Sequence, residues 1–182
     1  MNEIQHFKVG DKIVDYGQVF RIFKVGILKI FSGKKVECIF YKQHFIRDKH
    51  QPLVCSIPRS NVKEANLRKP VSEEKIEKTL KLLGEKPNQE IIVNATKADI
   101  YFKENNPLET ARLLKLLWLE KQDEEKKLSN RKKNIYQKAL RNLVEEMAVV
   151  QNISLKEARK KICGRLTKIC PEKKEEKNDR QY

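Results

Sequence analysis

The hydrophobic period of this chain changes near residue 66, and no other feature constrains its fold as strongly. Before that point Val, Ile, Phe and Tyr alternate with polar residues in short runs separated by glycines, the pattern of half-buried β-strands. After it, apolar residues recur every three or four positions, as on one face of a helix. We therefore expect a two-domain α+β protein, with a small antiparallel β-barrel over 1–66 and an all-α domain over 67–170.

Four short runs of apolar and β-branched residues predict the strands of the first part. Turn-forming residues separate them at 32–35 and 47–52, and Pro58 falls where a strand would end, so its missing N–H is harmless. Short strands with regular turns and no helix among them are typical of a small antiparallel barrel. The runs are DKIVDY, VFRIFKVGILKIF, KVECIFYKQ and LVCSIPRSNV.

The second part predicts helices, most of which begin at a polar residue suited to capping. Such a side chain accepts a hydrogen bond from a backbone N–H that the helix leaves free. Pro107 follows one cap at the first helical position, and Ser154 and Glu157 have the spacing of a capping box. A shorter helix is predicted within 94–105, and the charged tail 171–182 is expected to be disordered. The capping residues are Ser72, Asn106, Ser129 and Ser154.

Trp118, the single tryptophan, lies in the apolar stripe of the helix predicted to start at Pro107. It shares helical spacing with Ala111 and Leu114, which favours a place in the helical core. The other interpretation is that the ring stacks on a ligand. Because helical spacing alone accounts for its position, we expect Trp118 to be a core residue.

The chain carries 40 lysines and arginines against 25 acidic residues, a formal net charge of +15. This excess favours a polyanionic partner, because bound phosphates release condensed counterions. Solubility alone is the other interpretation. The basic residues are densest at 130–141 and 156–168. Arg131, Lys132 and Lys133 crowd the first turn of a predicted helix, where positive charge opposes the helix dipole. Either phosphate binding or an ordinary solvated face explains that turn.

The sequence lacks the motifs of an enzyme, a zinc site or a membrane protein. Neither a nucleophile elbow, a phosphate-binding loop nor an H-E-x-x-H motif occurs. No two of the four cysteines form a C-x-x-C pair, so we expect free and mostly buried thiols. No apolar run approaches the roughly 20 residues that span a bilayer, and no signal-peptide pattern is present. We therefore expect a cytoplasmic protein that is not an enzyme and that takes no metal or cofactor.

The order of several weak motifs resembles the CarD/CdnL family of bacterial transcription regulators. In the first part, FKVGDKIV, VFRI and LVCSIPRSNV are similar to the polymerase-interacting module of that family, which is also found in transcription-repair coupling factor. In the second part, LRKPVSEEKIEKTLKLL and the stretch from ETARLL to VEEMA resemble its helices. The resemblance covers residues 7–165, nearly the whole chain.

The resemblance implies a fold and a mechanism. A Tudor-like barrel, of the SH3-like kind, would dock on the β subunit of RNA polymerase. The helical domain would contact double-stranded promoter DNA at the upstream edge of the bubble and stabilise the open complex. We expect a nucleoid-associated monomer, although the sequence leaves the oligomeric state open.

Candidate site residues follow from the resemblance and from the charge distribution. Those for polymerase docking are Arg21, Lys29, Ser56 and Arg59. Those for DNA binding are Lys97, Arg131, Lys132, Lys133, Arg159, Lys160 and Arg165.

Two departures from the family pattern bear on this hypothesis. Many members have Y-P-x-H-G after the first strand, whereas this chain has DYGQ at 15–18, so its first loop differs. The family also inserts a tryptophan into the minor groove, and the corresponding segment here, QEIIVNATK, has none. Ile91 and Ile92 are the candidate wedges, since aliphatic side chains also unstack base steps. Both residues fit a core position equally well.

Two other functions stay open. A pure interaction module would bind polymerase or a repair factor without touching DNA, and salt-dependent binding to fork-junction DNA would distinguish it. The other is a basic RNA- or ribosome-binding protein with a KOW-like barrel. The sequence lacks the aromatic-rich sheet pattern that base stacking by such a protein is expected to need.

Overall fold

The computed structural model describes residues 7–29, 33–46, 52–86, 98–123 and 127–170. It confirms the α+β layout, in which a sheet is followed by helices. The elements are β1 (Lys12–Asp15), β2 (Gln18–Lys29), β3 (Lys35–Gln43), β4 (Val54–Pro58), α1 (Glu73–Gly84), α2 (Ala98–Lys103), α3 (Pro107–Gln122), α4 (Asn130–Val150) and α5 (Leu155–Ile169).

The sheet is an antiparallel meander in which the strands follow one another in chain order. β3 has the predicted bounds 35–43. Tyr16 and Gly17 connect β1 to β2 with φ angles of 48° and 80°, as in the two-residue turns whose twist matches that of the strands. One face of the sheet packs its own apolar core, made of Phe7, Ile13, Phe20, Ile22, Ile39, Tyr41 and Leu67.

The sheet does not close into the predicted barrel within the described residues. β1 and β4 lie at its opposite edges, whereas a closed barrel needs its first and last strands to pair. Arg68 joins the free edge of β1 instead, through an isolated antiparallel bridge with Val14. Val14 N donates to Arg68 O at 2.8 Å, and Arg68 N donates to Val14 O at 3.3 Å. The bridge occupies the hydrogen-bonding groups that a closing strand would use.

The helices begin at the predicted capping residues. Ser72, Asn106 and Ser129 cap α1, α3 and α4 with their side chains. Ser154 and Glu157 form the predicted capping box of α5. Each cap satisfies backbone N–H groups that a helix cannot satisfy itself, so these starts depend on a few neighbouring residues.

Trp118 is confirmed as a residue of the helical core. It is 1% exposed, and its ring stacks on Tyr136 with centroids 6.5 Å apart. Its Nε1 donates to Cys170 O at 3.3 Å. Because the indole N–H has an acceptor, the large ring is buried without leaving a donor unsatisfied.

Residues just after position 66 contribute contacts to the sheet. Leu67 is 7% exposed and belongs to the sheet core, and Arg68 bridges β1. In the other direction, Phe45, which follows β3, packs against the helical core. The two parts therefore share residues where they meet, and the bounds 1–66, 67–170 and 171–182 stay predictions.

Candidate functional site

The turn between β1 and β2 is the place where the sheet meets α4. Gly17 N donates to Asn105 Oδ1 at 2.9 Å, and Asn142 Nδ2 donates to Tyr16 O at 3.0 Å. A Cβ on Gly17 would lie 2.2 Å from Asn142 Nδ2. Its φ of 80° is also one that L side chains rarely adopt. Both the conformation and the close approach of α4 therefore require glycine at position 17.

Asn105 joins three separate segments of the chain. It is 4% exposed and has a φ of 53°, a left-handed conformation in which asparagine is enriched. Its Nδ2 donates to Val14 O at 2.8 Å and to Asn66 O at 3.0 Å, while its Oδ1 accepts from Gly17 N. The amide can be buried because both of its polar atoms have partners.

Two buried glutamates of α4 complete this junction. Glu146 is 2% exposed and accepts two hydrogen bonds from the Arg68 guanidinium, at 2.5 and 2.9 Å. It also accepts one from Val71 N at 3.0 Å. Glu145 accepts from Val19 N at 3.2 Å. Buried carboxylates are costly without such partners, so these contacts hold the sheet and the helices together.

The junction residues were not predicted from the sequence. One signal was present: Glu145 and Glu146 interrupt the apolar run of LVEEMAVV, and acidic residues are rarely buried unless they are paired. No local sequence pattern identifies the partners of these residues. Arg68 is 78 residues from Glu146, and Asn105 is 91 residues from Val14.

Arg21, Lys29 and Ser56, three of the predicted docking residues, are exposed but do not form one cluster. Arg21 pairs with Lys42 of β3, whereas Lys29 ends β2 and pairs with Lys35 at the other end of β3. A strand rises about 3.3 Å per residue, so Arg21 and Lys29 lie more than about 20 Å apart. Arg21 and Lys29 therefore lie towards opposite ends of the sheet, and Ser56 lies between them, opposite Phe40.

Arg59, the fourth docking candidate, is held by contacts within the fold. Its guanidinium donates to Glu37 at 2.8 Å and to Phe7 O at 3.0 Å. Two residues that were not predicted, Ile27 and Leu28, are 70% and 40% exposed near the end of β2. Successive side chains of a strand point to opposite faces, so the two expose aliphatic surface on both sides of the sheet, and exposed apolar surface often marks a protein contact. The sequence signal was the length of the apolar run in β2, which continues past the residues that pack in the core.

The basic first turn of α4 presents two cations rather than three. Lys132 Nζ lies 2.5 Å from a carboxylate oxygen of Glu120, and the two side chains are only 19% and 17% exposed. Arg131 and Lys133 are exposed, and neither side chain has a partner among the described residues. The predicted phosphate contacts of this turn therefore depend on Arg131 and Lys133.

Arg159 of α5 borders a groove of about 220 Å³ between α4 and α5. Arg141 of α4, which was not predicted, is exposed on the same groove. Lys160 is exposed beside Arg159, whereas Arg165 lies about 120° further round the helix. The groove is lined by Gln137, Leu140, Arg141, Val144, Leu155 and Arg159. The arrangement is an apolar groove with two arginines at its border.

His44 lies near two cations of the sheet. Burial lowers the pKa of the His44 imidazole below its usual 6.5, and the charges of Lys12 and Arg21 lower that pKa further. Its backbone N donates to Val19 O at 3.0 Å, which fixes the residue beside β2. Lys12 and Arg21 are register partners across β1 and β2, so their side chains lie on the same side of the sheet.

Three of the predicted residues, Lys97, Ile91 and Ile92, lie outside the described residues, so the wedge stays a prediction. The cysteines are free as expected, and Cys38 is buried. The expectation of mostly buried thiols is wrong, because the other three are partly exposed: Cys55, Cys163 and Cys170.

The described residues also bear on two other classes of site. Among those residues, no cluster of three or more His, Cys, Asp or Glu side chains is arranged to hold a metal ion. None of the helices described there has the length and apolar character needed to cross a membrane.

Residues 97–163 match the family model described as CarD, C-terminal domain. The match runs from α2 through α3 and α4 into α5. It therefore includes Asn105, Asn142, Glu145 and Glu146 of the junction, as well as the cations of α4. No curated protein matches the chain significantly.

Proposed function

We propose that this chain, which belongs to the CarD family of transcription regulators, docks on the β subunit of RNA polymerase and contacts promoter DNA. In this proposal the sheet binds polymerase, and the helices bind double-stranded DNA near the upstream edge of the bubble. The bound protein stabilises the open complex by holding DNA and polymerase together. It works by binding and not as an enzyme.

The observation that carries the proposal is the family match over 97–163, the part of the chain with the exposed cations of α4 and α5. Arg131, Lys133, Arg141 and Arg159 are exposed there. Their side chains have no partner among the described residues. Unpaired guanidinium and ammonium groups on helix surfaces suit phosphate contacts, which give affinity with little sequence preference.

The exposed end of β2 supports a separate protein contact. Ile27 and Leu28 place aliphatic surface next to Lys29, and β4 has a strand neighbour only on its β3 side within the described sheet. Beyond Arg21, β2 has no register partner in β1 within the described sheet, so its end is itself an open edge with apolar surface, which is suited to binding another protein. This end is also the part of the sheet most distant from the β1–β2 turn that touches α4.

The buried junction links the two proposed contacts. Because Arg68, Asn105 and Glu146 fix the sheet against the helices, a polymerase bound to the sheet would also fix the position of the helical cations. Pre-organisation of this kind lowers the entropy cost of the second contact. It follows that a weak contact at each of the two surfaces is sufficient, when both form together, to hold polymerase and DNA on the protein.

The test measures the lifetime of a competitor-resistant open complex, with and without the full-length chain. Ile27→Asp should reduce polymerase binding and shorten the lifetime, while duplex DNA binding stays as in the wild type. Arg131→Ala with Lys133→Ala should weaken DNA binding and leave polymerase binding unchanged. Lys63→Gln, an exposed substitution apart from both surfaces, is the matched control.

Three results would overturn parts of the proposal. If the wild-type chain neither binds polymerase nor changes the lifetime, the proposed function is wrong. If it binds polymerase and the alanine variants change nothing, the chain is an interaction module without DNA contact. If ribosomal proteins rather than polymerase are retained from a bacterial lysate, the RNA-binding alternative gains support.

A further inference from the structure

The sheet has a second face, opposite its apolar core, that carries both cations and aromatic rings. Ile13, Phe20, Ile22, Ile39 and Tyr41 point into the core, so the alternate positions of the same strands point outward. A register shift between Ile22 and Lys24 interrupts the alternation. The outward residues include Lys12, Arg21, Phe23, Lys24, Phe40 and Lys42.

Three of these cations form a row across neighbouring strands. Lys12 of β1 is the register partner of Arg21 in β2, and Arg21 is the partner of Lys42 in β3. Adjacent strands lie about 4.8 Å apart, so the row spans about 10 Å. Like charges directly opposite one another destabilise a sheet, so this row is not placed for the stability of the fold.

The outward positions of the four described strands contain neither Asp nor Glu. Glu37, the acidic residue of β3, is two residues from Ile39 and therefore points to the core side of the sheet. There it pairs with Arg59. The described strands therefore offer the row no carboxylate on this face, where α4 brings Glu145 to Val19 N, two residues from Arg21. Its charge is complementary to an anionic partner from outside the chain.

Two aromatic rings lie beside the row. Phe23 is 41% exposed, and its ring centroid is 6.4 Å from that of Phe40. Lys42 Nζ lies 5.8 Å from the centre of the Phe23 ring, and Lys24 Nζ lies 5.4 Å from that of Phe40. Each ring is thus accompanied by a flexible cation that can move to a phosphate.

We infer that this outer sheet face binds single-stranded nucleic acid, with bases stacked on Phe23 and Phe40 and phosphates on Lys12, Arg21 and Lys42. Phe23 is exposed and Phe40 is half-buried. Aromatic rings at the surface next to a line of cations are the combination that binds unpaired strands without sequence preference. A duplex keeps its bases stacked on one another and cannot use the rings. An acidic peptide would use the cations but has no bases to stack.

This inference goes beyond the proposed function and does not depend on it. It assigns a different ligand to a different part of the sheet from the exposed end of β2, and to a different element from the helical cations. It rests on β2 and β3, which bring together two phenylalanines that are distant in the sequence.

The experiment measures binding of the full-length chain to an oligothymidylate of about 10 nucleotides, to a duplex of equal length and to polyglutamate. Phe23→Ala should weaken binding of the single strand by about tenfold, since loss of one stacked base is costly. It should leave duplex binding unchanged. Phe23→Trp should restore single-strand binding, and oligonucleotide should quench the fluorescence of the new indole. Ile100→Ala, an exposed apolar substitution on α2, is the matched control.

Ultraviolet crosslinking of the oligothymidylate should place crosslinked peptides on β2 and β3. The inference is wrong if Phe23→Ala leaves single-strand binding unchanged. It is also wrong if Lys12→Gln, Arg21→Gln and Lys42→Gln weaken duplex binding as much as single-strand binding, because the face would then bind only phosphates. Competition by polyglutamate that is insensitive to Phe23→Ala would indicate an acidic protein partner. Melting temperatures equal to that of the wild type exclude misfolding of the variants.

Discussion

Arg68 and Glu146 form a two-pronged ion pair, at 2.5 and 2.9 Å, that joins the edge of the sheet to α4. The Glu146 side chain is 3% exposed and that of Arg68 is 21% exposed. The Arg68 backbone bridges β1 at the same time, so one residue ties a strand edge to a helix. If the chain acts on polymerase and DNA together, this pair sets the geometry between the two contacts.

Replacing Arg68 with Met should lower the free energy of unfolding by about 3 kcal/mol, because it leaves the Glu146 carboxylate buried without its cation. The double variant Arg68→Met, Glu146→Met should lose less than the sum of the two single changes, since no unpaired charge stays behind. Urea unfolding measures the free energy of unfolding of the two single variants and of the double variant. Arg112→Ala, which breaks the exposed pair with Glu109, should cost less than about 1 kcal/mol. Equal losses for Arg68→Met and Arg112→Ala would show that the buried pair contributes no more to stability than an exposed pair does.

Gly17→Ala should destabilise the protein by more than a strained turn alone does. The alanine Cβ would meet Asn142 Nδ2 at 2.2 Å, so α4 has to move or the turn has to open. Gly10→Ala is the matched control, because Gly10 has a φ of 96° and no atom within 4 Å of the Cβ position. Strain of this kind costs about 1–3 kcal/mol. Thermal melting compares the two, and an equal loss at both positions would argue against the close contact between the turn and α4.

Local features of the fold could be predicted from the sequence, and the junction could not. Ser154 and Glu157 make their capping box within one helical turn, and the alternation of β3 appears within nine residues. Trp118 is buried because its own helix has an apolar stripe. Asn105 and Glu146, by contrast, depend on partners many residues away, whose positions are set only after the sheet and helices have packed. Closure of the sheet into a barrel is not confirmed within the described residues, and it too would depend on contacts between distant segments.

The candidate surfaces follow the same division. Charge density pointed correctly to exposed cations such as Arg131 and Arg159, because a run of lysines and arginines cannot all be buried. The pairing of Lys132 with Glu120 on α3 could not be predicted from the sequence, because it depends on how two helices pack. The face with Phe23 and Phe40 was missed because the two rings come together only when β2 pairs with β3.

Trp118→Ala should lower the free energy of unfolding by about 3–5 kcal/mol, as truncation of a buried aromatic residue does. The ring is 1% exposed, stacks on Tyr136 and donates to Cys170 O. Trp118→Phe should lose less, because it keeps an aromatic ring in the core and gives up only the N–H and the volume of the second ring. Urea unfolding measures the loss, and open-complex lifetime is measured in parallel. A Trp118→Ala variant that melts like the wild type yet fails to stabilise open complexes would show that the indole acts on DNA.

Arg21→Gln should raise the pKa of His44, because Arg21 is one of two cations that keep it low after burial. A histidine with a lowered pKa in the fold stabilises it fully above its unfolded pKa of about 6.5. That stability is lost as the pH falls from there through the folded pKa. Arg21→Gln should therefore reduce the loss of stability on acidification. Nuclear magnetic resonance titration of the His44 ring, assigned with His44→Gln, measures the shift. Lys63→Gln should leave the titration unchanged. An unchanged His44 pKa in Arg21→Gln would show that Arg21 is too far from the imidazole to affect it.

The first turn of α4 should contribute two phosphate contacts to duplex DNA. Arg131→Ala and Lys133→Ala should each reduce the slope of log K against log salt by about 0.9, the value for one lost contact. Lys132→Ala should leave that slope nearly unchanged, because Lys132 is paired with Glu120, and should lower the melting temperature instead. Equilibrium binding at several salt concentrations, with duplexes of two unrelated sequences, measures the slopes. Because phosphates carry no sequence information, both duplexes should be affected alike. A slope that falls equally for all three variants would show that Lys132 leaves Glu120 to bind DNA. A slope that none of them changes would show that this turn faces only solvent.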